Sequence, residues 1–374
     1  SPLFRIIEDW AEDFRSLYDD LFEHTHGRWR PHVGRILDDL LECGDPRSGF
    51  ARVKCASCNY EFFVAVTCGR RGACPSCAMK RAYAFSDRLV EEILLPVPHR
   101  HMVFTLPKAV RPYFMHGREL MVELSRCAWQ TINEMMLAAW DRNEQDAQAG
   151  AVLSVHTHGA LLKNFHPHVH GIVAAGLLVR GRTFLHVPAL PEGEASEVFR
   201  VKVLEMLEEK ADLEPEWKET LLEWEHHGGF RVWSGSPIDP EQKSNLRRLS
   251  RYLLRPPINL EKLSYDPALE TVTDQVDAGG PLALTKEVKM SPLGFLASFT
   301  QHFLEGGQHQ VRYYGFLSNR SRGFRRQEDE GDDFEPVKSK GADRKRARSR
   351  WQALIRRVYP HALRCPRCGG TMKF

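Results

Sequence analysis

The chain has 374 residues, and 42% of them are apolar, which is enough for two or three domains with filled cores. The net charge of +3 is too small to favour or exclude nucleic acid. No run reaches about 18 apolar residues, so we expect no membrane span. The chain opens with Ser1 instead of Met and runs straight into an amphipathic pattern, so we expect a trimmed or incomplete chain without a signal peptide.

Hydrophobic periodicity and turn residues predict helices and strands in a mixed order. In chain order they predict helix over 1–42, a metal-held unit over 43–80, strand over 101–106, one long helix over 110–140, strands over 151–158 and 168–175 joined by a turn, acidic helix over 195–225, strand over 230–233, helix over 241–255 and strand over 310–316. Pro96 and Pro98 mark a boundary, which gives predicted domains at 1–98, 99–326 and 327–374.

Charge is uneven in the last predicted domain. Residues 328–335 are acidic, and residues 338–357 then hold nine Lys or Arg against one Asp. The basic run predicts salt-dependent contacts with phosphates, with a plain solvated charge run as the alternative.

Nine cysteines, an odd number, argue against a disulfide framework in a chain without an export signal and predict a reducing, cytoplasmic setting. Cys55-x-x-Cys58 and Cys74-x-x-Cys77 are separated by 15 residues, and each pair can hold one side of a tetrahedral zinc ion. Buried thiols without a metal are the alternative. Because four thiolates leave zinc no open position, we expect a structural ion that supports DNA binding and takes no part in chemistry.

Three further cysteines leave alternatives open. Cys68 can replace one of the four predicted ligands or stay a spare thiol. Cys365-x-x-Cys368 is a half-site close to the end, which is typical either of a truncated zinc ribbon or of a tail that closes another site.

A histidine cluster is the most informative motif. His168 and His170 are two apart on a predicted strand, so their imidazoles point to the same face with Val169 toward the core. An antiparallel neighbour would bring His156 or His158 alongside, and three neutral imidazoles would hold a divalent ion with open positions for phosphate oxygens. Surface histidines, a zinc hydrolase and a histidine-triad hydrolase are the alternatives.

The helix over 241–255 discriminates among these. At about 100° per residue its leucines share one face, its arginines Arg247, Arg248, Arg251 and Arg255 share the other, and Tyr252 lies at the border. This placement fixes a phenol ring and exposes its oxygen beside cations, as a nucleophile that attacks a phosphodiester requires. A boundary tyrosine packed on the core is the alternative.

Together these motifs resemble the rolling-circle transposases of insertion-sequence family 91 and its common-region relatives, which are HUH nucleases named for His-hydrophobic-His. The resemblance is carried by TCGRRGACPSC at 67–77, HMVFTLP at 101–107, VHTHGALLKNFHPHVHGIV at 155–173, RYLLRPPINLEKLSYD at 251–266, VRYYGFLSNRSRG at 311–323 and CPRCGG at 365–370. Some members carry a second tyrosine where this chain has Arg248, so it resembles a single-tyrosine member.

The resemblance implies an α+β fold: an HUH core of antiparallel sheet with flanking helices, preceded by a helical zinc-binding domain. It implies His156, His168 and His170 as ligands of a catalytic Mg²⁺ or Mn²⁺, a structural Zn²⁺, and Tyr252 as the nucleophile. The enzyme would nick and rejoin single-stranded DNA at transposon ends and target sites through a 5′-phosphotyrosine, with arginine contacts to DNA from the tyrosine helix.

The implied setting is the cytoplasm, in association with the nucleoid, with a host helicase or the replication machinery as partners and no membrane. Two other functions stay open. A plasmid relaxase or rolling-circle replication initiator shares the chemistry, and a zinc-dependent DNA-binding protein would keep the cysteines without cleaving DNA.

Overall fold

The fold is that of a computed structural model, which describes residues 1–70, 72–159, 161–179, 183–187, 190–224, 229–277, 285–328, 367–370 and 372–373. The basic run at 338–357, nearly all of the acidic run before it, and Cys365 lie outside these ranges. No helix within them is long and apolar enough to cross a membrane.

The amino-terminal third is helical around a short hairpin. Its elements are α1 (Pro2–His26), α2 (Pro31–Glu42), β1 (Phe50–Cys55), β2 (Glu61–Ala65) and α3 (Pro75–Arg88), which continues into a π-helical turn at Leu89–Ile93. Gly27 is the C-cap of α1, and its φ of +80° is one that glycine adopts without strain. The helical spacing of Phe14, Leu17, Tyr18 and Leu21 predicts one buried stripe. Phe14 and Tyr18 are buried, whereas Leu17 and Leu21 are exposed.

A five-stranded antiparallel sheet forms the centre of the fold. Its strands are β3 (His99–Thr105), β5 (Gly150–His158), β6 (Phe165–Ala174), β9 (Arg231–Ser234) and β13 (Val311–Gly315), in the order β13-β5-β6-β3-β9. Because β5 and β6 are neighbours, the two predicted histidine strands lie side by side, as expected from the sequence.

Helices cover both faces of this sheet. One face packs on α5 (Leu120–Ala139) and α6 (Glu192–Ala211) through a large apolar cluster that includes Phe104 and Val169. The opposite face packs on α8 (Lys243–Tyr252) through a smaller cluster that includes Ile172 and Leu253. The result is a mixed helix and antiparallel-sheet fold, with the tyrosine helix on the second face.

The remaining elements surround this centre. They are α4 (Arg111–His116), β4 (Ala147–Gln148), β7 (Gly176–Val179), β8 (Phe184–His186), α7 (Pro215–Glu223), β10 (Leu263–Asp266), β11 (Thr271–Asp277), β12 (Thr285–Met290), α9 (Pro292–Thr300), α10 (Asn319–Glu328) and β14 (Met372–Lys373). β4, β7 and β8 form one small sheet, β10 to β12 form another, and β14 pairs with β1.

Four predicted helices have different bounds. The predicted helix over 1–42 is α1 and α2, and the one over 195–225 is α6 and α7. The prediction of one helix over 110–140 is wrong, because the helix is interrupted at Gly117, between α4 and α5. The helix over 241–255 ends at Tyr252, so Arg255 lies beyond it. Pro256 disfavours helical backbone at the residue before it, which accounts for the earlier end.

The predicted boundary at residue 98 stays a prediction, but one apolar cluster extends across it. Ile7 and Phe14 of α1 share a buried cluster with Phe295 and Phe299 of α9. The amino-terminal helices therefore pack on a segment that the sequence assigned to the second domain.

Candidate active site

Strand register brings three predicted metal ligands together. His156 of β5 lies directly opposite His168 of β6, and Ser154 lies opposite His170, so these side chains project from the same face of the sheet. One ligand nitrogen from each of the three histidines lies within 4.8 Å of the others, and all three side chains are buried. His158, the other candidate from this strand, lies outside the group and stacks on His156.

Neighbouring groups fix the orientation of these rings. His168 Nδ1 donates to the carbonyl of His166 at 2.7 Å, and His156 Nε2 donates to the carbonyl of Leu253 at 3.0 Å, because a carbonyl can only accept. Those bonds leave His168 Nε2 and His156 Nδ1 as lone-pair donors. His101 Nε2 lies 3.0 Å from His170 Nδ1. His101 can therefore accept a hydrogen bond from His170 Nδ1, which leaves His170 Nε2 free as a ligand.

The donor geometry fits a divalent ion. His168 Nε2 and His170 Nε2 are 3.0 Å apart. Two ligands at neighbouring corners of an octahedron with bonds of about 2.1 Å are also about 3.0 Å apart. Burial lowers the pKa of His156 to about 3 and that of His168 to about 4, and it also lowers the pKa of His170. All three imidazoles are therefore neutral at neutral pH, which is the form that binds metal.

Tyr252 lies directly beside this histidine group. It is the last residue of α8, and its ring centroid is 4.9 Å from that of His170 and 6.2 Å from that of His156. The Arg255 guanidinium lies over the Tyr252 ring at 5.1 Å from its centroid. The tertiary fold therefore places a phenol and a cation next to a potential metal site.

The other tyrosines that the sequence offered have different surroundings. The Tyr265 hydroxyl accepts from Trp10 Nε1 at 2.9 Å and donates to Asp9 at 3.1 Å. The Tyr314 hydroxyl lies 3.0 Å from Ser125 Oγ, and burial raises the pKa of Tyr313. None of these environments includes the three ligand histidines.

The four arginines of the predicted DNA-binding face have different environments. Arg247 forms ion pairs with Asp87 of α3 and Glu91 of the turn after it, and Arg251 lies over the ring of Tyr83 at 4.7 Å. These two side chains fasten α8 to α3. Arg248 and Arg255 are exposed, so they are the two of the set with charge open to solvent.

A basic cleft opens beside His156. It has about 670 Å³ of empty space, including its open mouth, and its lining includes three arginines and one acidic residue: Arg118, Arg255, Arg312 and Glu305. The Nε2 atom of His158 is buried and, within the described part of the chain, has no hydrogen-bond partner. The cleft is thus a cationic surface continuous with the histidine group.

Seven of the eight cysteines in the described ranges form two groups, and the predicted set of four is not one of them. Cys74 and Cys77 lie with Cys43 and Cys68, whereas Cys55 and Cys58 lie with Cys368. The grouping predicted from the sequence is therefore wrong. A C-x-x-C spacing identifies half of a site, and the fold decides which half completes it.

The first group fits a tetrahedral zinc ion. Its sulfurs are 3.6 Å apart for Cys43 and Cys74, and 3.7 Å apart both for Cys43 and Cys77 and for Cys68 and Cys77. A tetrahedron with Zn–S bonds of about 2.3 Å has sulfurs about 3.8 Å apart, whereas a disulfide needs about 2.05 Å.

Comparison with known proteins gives the same two parts. A family model described as "Putative transposase" matches residues 150–324, and one described as "Transposase zinc-binding domain" matches residues 13–106. Together with the relatives described below, the two matches support assignment of the chain to the IS91 family of transposases. His156, His168, His170 and Tyr252 fall in the first match. Cys43, Cys68, Cys74 and Cys77 fall in the second.

Two relatives of this transposase have similar sequences. The transposase for insertion sequence element IS801 of Pseudomonas savastanoi pv. phaseolicola is 29% identical over 301 residues, which cover 75% of this chain and 69% of the relative. "Putative transposase y4qJ" of Sinorhizobium fredii is 28% identical over 333 residues, covering 83% and 81%. No solved structure matches this chain.

Three residues of this transposase were not identified as site residues from the sequence. Cys43 is a lone cysteine at the end of α2, and Cys68 had two open interpretations, so neither had a pattern to favour it. The sequence placed His101 in a strand motif but predicted no role for its side chain. Its strand neighbours β6, and alternation along both strands could have placed it diagonally across from His170.

Proposed function

We propose that this transposase has an HUH nuclease core and nicks single-stranded DNA with Tyr252, next to a divalent ion held by His156, His168 and His170. The observation that carries the proposal is the ring contact between Tyr252 and His170. This contact brings the phenol next to the histidine group. From the sequence alone, the tyrosine and the histidines could only be placed on separate elements. The antiparallel sheet that supports both histidine strands is consistent with such a core.

The three imidazoles would hold the ion, which when bound would polarise the scissile phosphate. Imidazole is a better ligand for transition ions than for Mg²⁺, so of the two candidate ions we expect Mn²⁺ to bind more tightly. The carbonyls of His166 and Leu253 would keep two of the rings in the required tautomers.

Tyr252 would attack the phosphorus atom. The bond from its hydroxyl oxygen to phosphorus forms while the bond from phosphorus to the 3′ oxygen breaks. The phenol proton passes to a neighbouring base or to water, and the leaving oxygen takes up a proton to become a free 3′-OH. The product is a 5′-phosphotyrosine, which conserves the phosphodiester, so a later attack by a 3′-OH can rejoin strands without ATP.

The basic cleft would hold the strand on one side of the tyrosine. Arg255 contacts the ring of Tyr252 and also lines the cleft, so it can contact a phosphate next to the scissile one. Arg248 is exposed on α8 and is a second candidate contact. Arg247 and Arg251 are engaged with α3, so we propose that they position the helix and do not bind DNA.

Cys43, Cys68, Cys74 and Cys77 would hold a structural zinc ion. Cys43 ends α2 and Cys74 begins α3, so one ion would join the ends of two helices to the loop that carries Cys68. A closed set of four thiolates leaves no position for substrate, which is why we assign this ion to folding and DNA binding.

The proposal is tested by incubating labelled single strands from the ends of the insertion sequence with the protein and Mn²⁺ or Mg²⁺. We expect a nick in single-stranded but not in duplex DNA, lost in EDTA, in Tyr252→Phe and in the His168→Ala/His170→Ala double variant. Tyr313→Phe is the matched control and should nick normally. Binding without cleavage by the wild type under all conditions would favour a zinc-dependent DNA-binding protein instead.

A further inference from the structure

The second cysteine group joins two distant parts of the chain. Cys55 ends β1 and Cys58 lies in the turn after it, whereas Cys368 comes more than 300 positions later. One ligand sulfur from each lies within 4.8 Å of the others, and the sulfurs of Cys55 and Cys368 are 3.9 Å apart. That separation matches the edge of about 3.8 Å expected for thiolates around zinc and is far too long for a disulfide.

Backbone turns aim these sulfurs at one another. Asn59, which follows Cys58, has a φ of +58°, and Gly369, which follows Cys368, has a φ of +71°. The amides of Cys58 and Ser57 donate to the Cys55 sulfur. A thiol that accepts two amide hydrogen bonds is stabilised as the thiolate, which is the form that binds metal.

The strand that accompanies Cys368 has little else to hold it. β14 contributes two residues, Lys373 opposite Lys54 and Met372 opposite Cys55. The described apolar cluster under this hairpin has only Val53 and Cys55 fully buried, and Phe50 and Phe63 are exposed on the hairpin. A two-stranded hairpin with so small a core is marginal in water without a further constraint such as a metal.

We propose that Cys55, Cys58 and Cys368 bind a second zinc ion, separate from the ion at the Cys43 group, which fastens the carboxyl-terminal strand to the β1–β2 hairpin. The proposal does not depend on the nicking reaction. Three thiolates leave one position on a tetrahedral ion. Cys368 also lies outside both segments that the family models match.

The site would have a consequence for the chain between α10 and Arg367. That segment includes the basic run predicted to contact phosphates. With Cys368 held at the hairpin, both flanks of the segment are attached to folded parts of the protein.

The test is to count zinc in the full-length chain by native mass spectrometry. All samples carry His168→Ala/His170→Ala, so that the histidine group contributes no ion, and are dialysed into zinc-free buffer. We expect two zinc ions per chain, one in Cys368→Ser, one in Cys74→Ser and none in the double cysteine variant. Cys127→Ser, which alters a buried thiol that belongs to neither group, is the matched control and should keep two.

Two further measurements keep the outcome decisive. Cys368→His retains a zinc ligand and should restore the second ion if the loss in Cys368→Ser reflects ligation. Hydrogen exchange of peptides covering residues 50–65 should become faster in Cys368→Ser but not in Cys127→Ser. One zinc in the unmodified-cysteine chain, or two in Cys368→Ser, would overturn the proposal and leave the ion at the Cys43 group unaffected.

Discussion

Replacing His101 by Ala tests whether a residue that is not itself a ligand controls the metal site. His101 Nε2 lies 3.0 Å from His170 Nδ1, and the two rings are stacked at 5.2 Å between centroids with 23° between their planes. The contact holds His170 both in the tautomer and in the orientation that present its Nε2 to an ion. Alanine removes the acceptor and the stacking surface together.

The expected magnitude follows from the environment of the bond. A buried donor left without its partner costs about 1–3 kcal/mol. His101 is only partly buried, so water can replace part of the lost bond, which favours the lower half of that range. Loss of a comparable outer-shell partner lowers metal affinity about 10- to 100-fold, or about 1.4–2.7 kcal/mol. The cost of the lost hydrogen bond and the loss of metal affinity are different quantities, and their ranges overlap at about 1.4–2 kcal/mol.

The assay is the nicking rate as a function of Mn²⁺ concentration. For His101→Ala we expect half-saturation at about 10- to 100-fold more Mn²⁺, with the rate recovered at saturating metal. His101→Gln keeps an acceptor and should recover part of the affinity. His166→Ala is the control, because the carbonyl of His166 that orients His168 remains. An unchanged Mn²⁺ dependence in His101→Ala would refute this account of His101.

Three further predictions follow from other parts of the structure. Arg255→Ala should weaken the binding of single-stranded DNA, and the slope of log K against log salt concentration should become shallower by about 0.7. Arg247→Ala should lower the melting temperature and leave that slope unchanged. Cys74→Ser should release zinc and lower the melting temperature of the chain, since it removes one of four thiolates; an equal zinc content would contradict the assignment. Burial lowers the pKa of His99 to about 4, so the unfolded chain binds an extra proton between pH 6.5 and 4, and stability should fall over that window as pH decreases. His99 contributes at most about 1.4 kcal/mol of this loss per pH unit. In urea denaturation, the free energy of unfolding of His99→Leu should therefore fall less steeply as pH decreases. The same pH dependence in His99→Leu and in the wild type would contradict the assignment of this loss to His99.

The histidine site was predictable because it follows from a local rule. Alternation along a strand places His168 and His170 on one face, and a neighbouring antiparallel strand supplies His156. The position of Tyr252 at the edge of an amphipathic helix was also local. That the helix packs over the histidines depends on tertiary contacts such as Leu253, which periodicity along one helix cannot specify.

The cysteine grouping and the roles of the arginines depend on pairings between distant residues. Cys55 and Cys58 are completed by Cys368 because β14 pairs with β1, and no local spacing encodes that pairing. Arg247 appeared to be part of a free cationic face in the sequence, but the fold places Asp87 and Glu91 against it. A helical wheel gives the direction of a side chain and not the element that it meets.

The most direct test of the central claim is to trap the covalent complex between the protein and a single strand from the end of the insertion sequence, digest it, and map the nucleotide-bearing peptide by mass spectrometry. We predict an adduct on Tyr252 and none in Tyr252→Phe, whose fold should be unchanged because one oxygen is removed. An adduct on Tyr265, Tyr313 or Tyr314, or an undiminished adduct in Tyr252→Phe, would contradict the account.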